Sequence, residues 1–314
     1  MPDAARMVPP LERLLHLKRI PLLSGLPTPE VAALADVAQE RFFKRGEVVF
    51  REDVPASAAL FVVEGRLANF RRGIQVGTVG PGQGIGGMSV LARAEYGSQV
   101  VADLDTLALE IDADATLDVL EDRLPILQHM LREVSRQALS LLQKNKLDPS
   151  QVFPMPAGEM PGSAQLDLVD RLLLLRRMPV FDRTSITALA ELARTMAQVR
   201  FEAGTTLWHE GEPAAHLVMV CGGSVRAAVP GGIEFTAGPG FPLGALEALG
   251  ERPRWYEAVA ETPVVALQAH VGFLVDAFED HFDMAMDYLA VIAQSTLRIL
   301  DWTAARGEEP LLPS

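Results

Sequence analysis

The feature that most constrains the fold is an internal repeat, in which the second part of the chain copies the first. Gly46 and Gly204 are 158 positions apart, and the same offset relates many further pairs of identical residues. These pairs are Pro21 and Pro179, Phe43 and Phe201, Glu52 and Glu210, Pro55 and Pro213, Gly65 and Gly223, Pro81 and Pro239, Gly82 and Gly240, Gly86 and Gly244, and Ala102 and Ala260. Most are glycine or proline, the residues that fix turns. One ungapped register over about eighty residues therefore predicts two copies of one domain.

The repeat divides the chain into two domains and little else. We expect copy one at residues 16–147, a linker at 148–163, copy two at 164–304 and a tail at 305–314. The linker is rich in proline, glycine and methionine, as is typical of a connecting segment. Both copies are long enough to bury a hydrophobic core.

Each copy has the pattern of a mainly β domain with flanking helices, an α+β fold. Thr28 is predicted to be the N-cap of a short helix in copy one, with Pro29 at the first helical position, and Asp182 to Ser185 precede the equivalent helix in copy two. Short strands follow at close, regular intervals, and helical segments close each copy. This spacing favours an antiparallel barrel or sandwich.

Composition excludes several classes of protein. The net charge of -13 repels phosphate backbones, so we expect no nucleic-acid partner. Cys221 is the only cysteine, which excludes an intramolecular disulfide. No apolar run approaches the ~20 residues that span a bilayer, and the first residues lack the apolar core of a signal peptide. We therefore expect a soluble, cytoplasmic protein without membrane insertion.

The sequence offers no catalytic or metal centre. Nucleophile-elbow, phosphate-loop and kinase signatures are missing. His209 and His216 flank a predicted turn without an acidic residue or cysteine at ligand spacing. Cys221 is expected to be a small buried hydrophobe. We therefore expect no enzyme and no metal, and a haem-type redox or gas sensor ranks last among the functions considered.

One apolar stripe runs along the closing helix of copy one, formed by Leu127, Leu131, Val134, Ala138 and Leu141. Such a stripe either packs on its own barrel or forms the seam of a homodimer. The sequence leaves both interpretations open.

Several motifs occur in both copies in the same order. Copy one contains KRGEVVFRE, ALFVVEGRL and VGPGQGIGGMSVL, and copy two contains EAGTTLWHEGE, LVMVCGGSV and PGFPLGALEAL. The chain resembles the cyclic nucleotide-binding domain of bacterial catabolite activators, protein kinase A regulatory subunits and gated channels. The resemblance implies two tandem β-rolls of jelly-roll type, each with an N-terminal helix and C-terminal helices. The short segment after the last helix leaves no room for a helix-turn-helix, so no DNA-binding domain is expected.

The resemblance also implies a ligand cassette, in which a Gly-Glu pair binds the ribose and a downstream arginine binds the cyclic phosphate. The corresponding residues of copy one are Gly86, Gly87, Met88, Tyr96 and Gly97. Gly87 replaces the glutamate and Tyr96 replaces the arginine. We therefore expect copy one not to bind cAMP or cGMP.

Copy two keeps more of the cassette, in Gly244, Ala245, Leu246, Arg254 and Trp255. Arg254 stands at the phosphate position, whereas Ala245 stands where the glutamate belongs. Glu247 lies two residues further on, which turns it to a different face of a short helix. Trp255 either stacks on a purine or fills the pocket.

These observations lead to two functional hypotheses. The first is a non-enzymatic signalling protein in which copy two senses cAMP, cGMP, another cyclic nucleotide or a related anion, and which acts on an unidentified protein partner. The alternative is a ligand-independent adaptor that uses degenerate cyclic nucleotide-binding folds for protein contacts.

Overall fold

The computed structural model describes residues 8–54, 56–93, 98–156, 165–229 and 231–305. The chain divides into two compact units, residues 131–299 and residues 1–130 together with 300–314. Each unit contains antiparallel sheets with flanking helices, which confirms the predicted α+β class and the tandem arrangement. The boundaries predicted at 16–147 and 164–304 stay a prediction.

In the described part of copy one, three helices precede the strands: α1 (Pro10–Lys18), α2 (Pro21–Ser24) and α3 (Thr28–Val37). The strands are β1 (Gln39–Phe43), β2 (Val48–Phe50), β3 (Ala58–Glu64), β4 (Leu67–Arg71), β5 (Ile74–Val79), β6 (Gly84–Ile85), β7 (Gln99–Ala102) and β8 (Thr106–Asp112). Helix α4 (Gly87–Ala92) lies between β6 and β7, and α5 (Ala113–Asp122) and α6 (Leu124–Asn145) follow β8. The strands form two sheets, in the orders β1-β8-β3-β6 and β2-β7-β4-β5.

Copy two repeats this arrangement. Its elements are α7 (Leu168–Arg177), α8 (Ile186–Thr195), β9 (Ala197–Phe201), β10 (Thr206–Trp208), β11 (His216–Gly222), β12 (Val225–Ala228), β13 (Glu234–Ala237), β14 (Pro242–Leu243), α9 (Ala245–Leu249), β15 (Glu257–Ala260), β16 (Val264–His270), α10 (Val271–Asp280) and α11 (Phe282–Ala305). Short 3-10 helices lie at Pro149–Gln151 and Pro179–Phe181. The sheets have the orders β14-β11-β16-β9 and β10-β15-β12-β13.

The structural repeat extends well beyond the glycines and prolines that revealed it. Helices α1 and α7 begin at residues 10 and 168, and helices α6 and α11 begin at 124 and 282, so both pairs keep the 158-residue offset. The register therefore runs without a gap from the first helix to the last.

An arginine near the start of each copy holds the first helix by the same contacts. Arg13 donates from Nη1 to the carbonyl of Ala38 at 2.9 Å and from Nε to that of Val8. Arg171, at the equivalent position, donates from Nη1 to the carbonyl of Met196 at 2.7 Å and from Nε to Leu166. Guanidinium groups suit this role because they offer several donors in a fixed geometry.

Turn glycines explain part of the conservation between the copies. Gly65 has φ +93° and Gly223 has φ +82°, a conformation that residues with a Cβ rarely adopt. A Cβ at Gly65 would also run into the carbonyl of Asp105, and one at Gly223 into that of Pro263. Both positions therefore require glycine.

The two predicted helix caps differ in outcome. Ser185 caps α8, since its hydroxyl accepts a hydrogen bond from the amide of Ala188 at 3.1 Å. Thr28 does not cap α3: it lies inside the helix, and Pro27 occupies the N-cap position. The prediction for Thr28 was wrong because its hydroxyl accepts instead from Nζ of Lys18 at 2.8 Å.

All five residues of the stripe on α6 are buried within the single chain. Their side chains are therefore not exposed as a seam for a second copy. Among the residues that the structure describes, no helix is long and apolar enough to cross a membrane.

The predicted linker and tail are only partly described. Within the linker, Asp148 accepts from the amide of Ser150 and begins the 3-10 helix Pro149–Gln151. Residues 157–164 and 306–314 lie outside the described residues.

Candidate functional site

The cassette of copy two is built around Gly244, which joins β14 to α9. Gly244 has φ +75°, and a Cβ there would collide with the guanidinium of Arg254. The residue must therefore be glycine for Arg254 to lie against the main chain. Ala245 is buried at the first position of α9, and Leu246 is half-buried beside it.

Arg254 lies in the loop between α9 and β15 and is only 5% exposed. Its Nη1 donates to the carbonyl of Gly244 at 3.2 Å, and its Nη2 donates to the carbonyl of His216 at 2.5 Å. Its Cζ lies 4.0 Å from the ring centroid of Trp208, a cation–π contact. Both terminal nitrogens of the guanidinium are thus bound by the protein itself.

Aromatic side chains fill the space next to the arginine. Trp255 is 8% exposed and Tyr256 is 3% exposed. Phe235 stacks on Trp255 at 6.3 Å between ring centroids and meets Tyr256 edge-on at 5.4 Å. The Tyr256 hydroxyl accepts a hydrogen bond from the amide of Gly244 at 3.0 Å. Of the two interpretations of Trp255, this packing favours a filled pocket.

Glu247 enters the same cluster, although the sequence analysis placed it on another face of the helix. The side chain is 2% exposed, and the Tyr256 hydroxyl hydrogen-bonds its carboxylate. Its Oε1 and the Nε of Arg254 are buried without a hydrogen-bond partner among the described residues. Burial raises the pKa of Glu247 to about 7, although its own amide, Arg254 and Tyr256 act in the opposite direction.

Burial also shifts the pKa values of the two ionisable groups next to Glu247. Burial lowers the pKa of Arg254, and Glu247, Tyr256 and Glu212 oppose that change. Burial raises the pKa of Tyr256 well above its ordinary value, and Glu247 raises it further. The cluster therefore couples one buried cation to one buried acid.

A small cavity of about 60 Å³ lies beside this cluster. Its walls are mostly apolar and include Leu142 of α6, Phe153, Val291 of α11 and Trp255. Glu247 is part of the wall, as are Tyr256 and the backbone of Gly244.

Copy one presents a different site. Gly86 has φ +89°, and a Cβ there would collide with the carbonyl of Ala58. Gly87 and Met88 begin α4 and are half-buried. Ser89, which corresponds to Glu247, is 1% exposed. The predicted site residues Tyr96 and Gly97 lie outside the described residues.

The other residues that the sequence analysis considered lie elsewhere. Cys221 is buried in β11, and burial raises the pKa of its thiol to about 11. His209 contacts Glu257 at 2.8 Å between Nδ1 and a carboxylate oxygen. A shallow depression of about 640 Å³ in the first unit is lined by Arg13 and Glu40, whose charged groups already pair with each other at 2.7 Å.

Comparison with known families identifies the domain. A family model described as the cyclic nucleotide-binding domain matches residues 40–123 and 198–281, which together make up more than half of the chain. The chain belongs to the cyclic nucleotide-binding domain family. Both matched ranges begin in the first strand of a copy and end after the helix that follows the last strand, so each copy is one such domain. The described residues contain no DNA-binding domain.

Curated relatives match about a third of this chain. "Glutaminase 2" of Bradyrhizobium diazoefficiens is 31% identical over 104 residues, 33% of this chain and 16% of that protein. A cyclic nucleotide-gated potassium channel of Mesorhizobium japonicum is 30% identical over 104 residues, 33% of this chain and 29% of that protein. The chain thus spans less than a third of the length of these relatives.

Some solved structures align with most of the chain at low sequence identity. The regulatory domain of Toxoplasma gondii PKA with cAMP is 16% identical, with a TM-score of 0.34, and the match covers 92% of this chain and 97% of that chain. The regulatory subunit of a cAMP-independent protein kinase A from Trypanosoma cruzi bound to guanosine is 15% identical, with a TM-score of 0.35, and the match covers 98% and 95% of the two chains.

Part of the cluster around Arg254 in the second cyclic nucleotide-binding domain was predictable from the sequence. The sequence analysis proposed Gly244, Arg254 and Trp255, and the structure brings these residues together. Tyr256 and Glu247 were not among the predicted ligand-binding residues. The signal for Tyr256 was a large side chain directly after Trp255, and the signal for Glu247 was an acidic residue in an otherwise apolar helix.

Proposed function

We propose that this chain is a non-enzymatic regulatory protein whose two cyclic nucleotide-binding domains act through contacts with a protein partner. In this proposal the second domain is closed by its own side chains and needs no nucleotide. The observation that carries the proposal is the state of Arg254, whose terminal nitrogens bind the carbonyls of Gly244 and His216 while its plane covers Trp208.

The energetic cost of opening supports the closed state. A nucleotide phosphate would have to draw Arg254 away from two charge-assisted hydrogen bonds, each worth about 1.5–3 kcal/mol. It would also have to break a buried cation–π contact worth about 2 kcal/mol. The guanidinium therefore gains little by exchanging its present partners for a ligand.

The size of the free space supports the same proposal. Pockets for small molecules usually measure about 300–1,000 Å³. The cavity beside Glu247 measures about 60 Å³, and Trp255 and Tyr256 occupy the space around it. A cyclic nucleotide would have to displace both aromatic side chains.

The sequence of copy one also supports a function without a nucleotide. Gly87 stands in place of the ribose-binding glutamate, and Tyr96 stands in place of the phosphate-binding arginine. The relatives are consistent with a regulatory module, because the similar segment makes up only 16% of the glutaminase and 29% of the channel.

A second candidate function is the sensing role that the sequence predicts. In it, the second domain senses cAMP, cGMP or a related anion, and Arg254 swings out to bind the phosphate. The observation in its favour is that Arg254 remains next to Gly244, at the position where the family binds its ligand.

Calorimetric titration separates the two functions. We expect no heat when cAMP or cGMP is added to the wild-type protein at about pH 8, where Glu247 is ionised. Heat from the wild-type protein that Arg254→Ala abolishes would instead establish the sensing function. The matched control is Arg226→Ala, because Arg226 belongs to the same domain but pairs at its surface with Glu234 at 3.4 Å.

A further inference from the structure

The second domain contains two buried charged residues, Glu247 and Arg254, where the sequence of copy one has Ser89 and Tyr96. Glu247 and Arg254 are almost fully enclosed, whereas Ser89 occupies the position of Glu247 in copy one. Burying two charges is costly unless each compensates the other. The pair therefore needs an explanation beyond the fold, which copy one builds without it.

The groups around Glu247 leave Arg254 as its only close cation among the described residues. Tyr256 faces the carboxylate through its hydroxyl, and Arg254 acts on it electrostatically. The wall of the adjoining cavity adds Tyr288 from α11 and otherwise apolar side chains from α6, β13 and α11. Glu212 also acts on Arg254 electrostatically, and the carbonyl of His216 accepts from its Nη2. The ring of His216 lies 5.0 Å from that of His270 between centroids.

We propose that the Glu247 carboxylate is an internal counter-ion of Arg254, and that its protonation admits an external oxyanion or phosphate ester to the second domain. This inference rests on the proposed function, in which the pocket is closed by its own side chains. Protonation would remove the only buried carboxylate that acts on the guanidinium among the described residues and leave the exposed Glu212, and an external anion would restore the balance. Each bound anion requires a protonated Glu247, so binding takes up close to one proton at about pH 8 and little at about pH 6, where the carboxyl is already protonated.

Two observations support this coupling. Oε1 of Glu247 lacks a hydrogen-bond partner among the described residues and belongs to a group that lines the cavity, so a proton can be added there without breaking a contact. Burial also raises the pKa of Glu247 to about 7, so the carboxyl changes its charge near neutral pH. Below that pH the carboxyl is mostly neutral, and above it the carboxylate charge acts on Arg254.

The proposal predicts how much the affinity for the anion changes with pH. If the anion binds only the protonated form, its affinity is reduced by the fraction of protein in that form. With a pKa of about 7, the affinity should rise about tenfold from about pH 8 to about pH 6. Glu247→Gln should bind at both pH values with the affinity that the wild-type protein reaches at about pH 6.

Tryptophan fluorescence provides the test, because Trp208 lies under the guanidinium of Arg254. The full-length protein is titrated at both pH values with sulfate and, separately, with cAMP, whose charges are constant over this range. A response to sulfate identifies a site for bare oxyanions, and a response to cAMP alone identifies a phosphate-ester site. Glu234→Gln is the matched control, since it removes an exposed carboxylate of the same domain and should keep the tenfold change.

Each other outcome is decisive. If neither the wild-type protein at low pH nor Glu247→Gln binds either probe, the inference is wrong and the closed pocket stands. If the wild-type protein binds equally well at both pH values, the closed pocket itself is wrong. If the pH dependence persists in Glu247→Gln, it belongs to another group such as His216, and the inference fails. Glu247→Ser, which introduces the side chain that Ser89 has in copy one, replaces the glutamine variant should that variant not fold.

Discussion

At the residue scale, Glu247 makes the stability of the second domain depend on pH. Its pKa is about 7 in the folded protein against an ordinary value of 4.5, so the folded state holds more protons between these values. Stability therefore falls as the pH rises through this window. We expect a loss of about 3 kcal/mol of unfolding free energy from this group between about pH 4.5 and about pH 7.

Urea denaturation at about pH 5 and about pH 8 measures this loss, and Glu247→Gln should reduce the difference between the two values by most of it. Glu234→Gln should leave the difference as it is in the wild-type protein, because Glu234 is exposed. An unchanged pH dependence in Glu247→Gln would show that this carboxyl is ionised in the folded protein over the whole range.

The same residue shows what a sequence can and cannot reveal about this site. Gly244 and Arg254 are recognisable because their types and spacing belong to a known cassette. The burial of Glu247 depends on its aromatic neighbours and on the fold of the loop that carries Tyr256, and these are tertiary features. The period of the helix places Glu247 on a different face from Ala245, but it does not say what that face packs against.

At the scale of elements, one arginine fastens the first helix of each copy. In copy two, Arg171 joins α7 to the carbonyls of Leu166, Ala193 and Met196. We expect Arg171→Ala to lower the free energy of unfolding by about 2 kcal/mol, since several carbonyls lose a charged donor. Arg194→Ala, which removes an exposed arginine of α8, should change it by less than about 0.5 kcal/mol. If urea denaturation gave the same loss of unfolding free energy for both variants, the contacts of Arg171 with these carbonyls would not stabilise the helix.

The strands and closing helices were predictable because turn glycines and prolines mark their ends. Helices α1 and α7 were not predicted, because the repeat was traced through turn residues that these helices lack. The signal was nevertheless present: Arg13 and Arg171, and likewise Leu14 and Leu172, are identical at the same offset. The misplaced cap at Thr28 had a different cause, a contact with Lys18 that only the folded chain brings about.

At the scale of the whole molecule, one scaffold carries two cassettes that have diverged in different ways. The register of 158 residues is kept from α1 to α11, while Ser89 and Glu247 differ at the same position of the two sites. Turn geometry constrains every copy of the fold, whereas a ligand site is constrained only where a ligand is bound. The sequence therefore predicted the scaffold far better than the state of the pockets.

Thermal unfolding of the whole chain tests the state of both pockets at once. A ligand that binds only the folded state stabilises it by about 2.7 kcal/mol at a concentration a hundred times its Kd. Both cassettes lack the ribose-binding glutamate, and the arginine of the second is bound to the main chain. We therefore expect saturating cAMP or cGMP at about pH 8 to leave the melting temperature unchanged. A rise that Arg254→Ala abolishes would assign nucleotide binding to the second domain, and a rise that survives this substitution would assign it to the first.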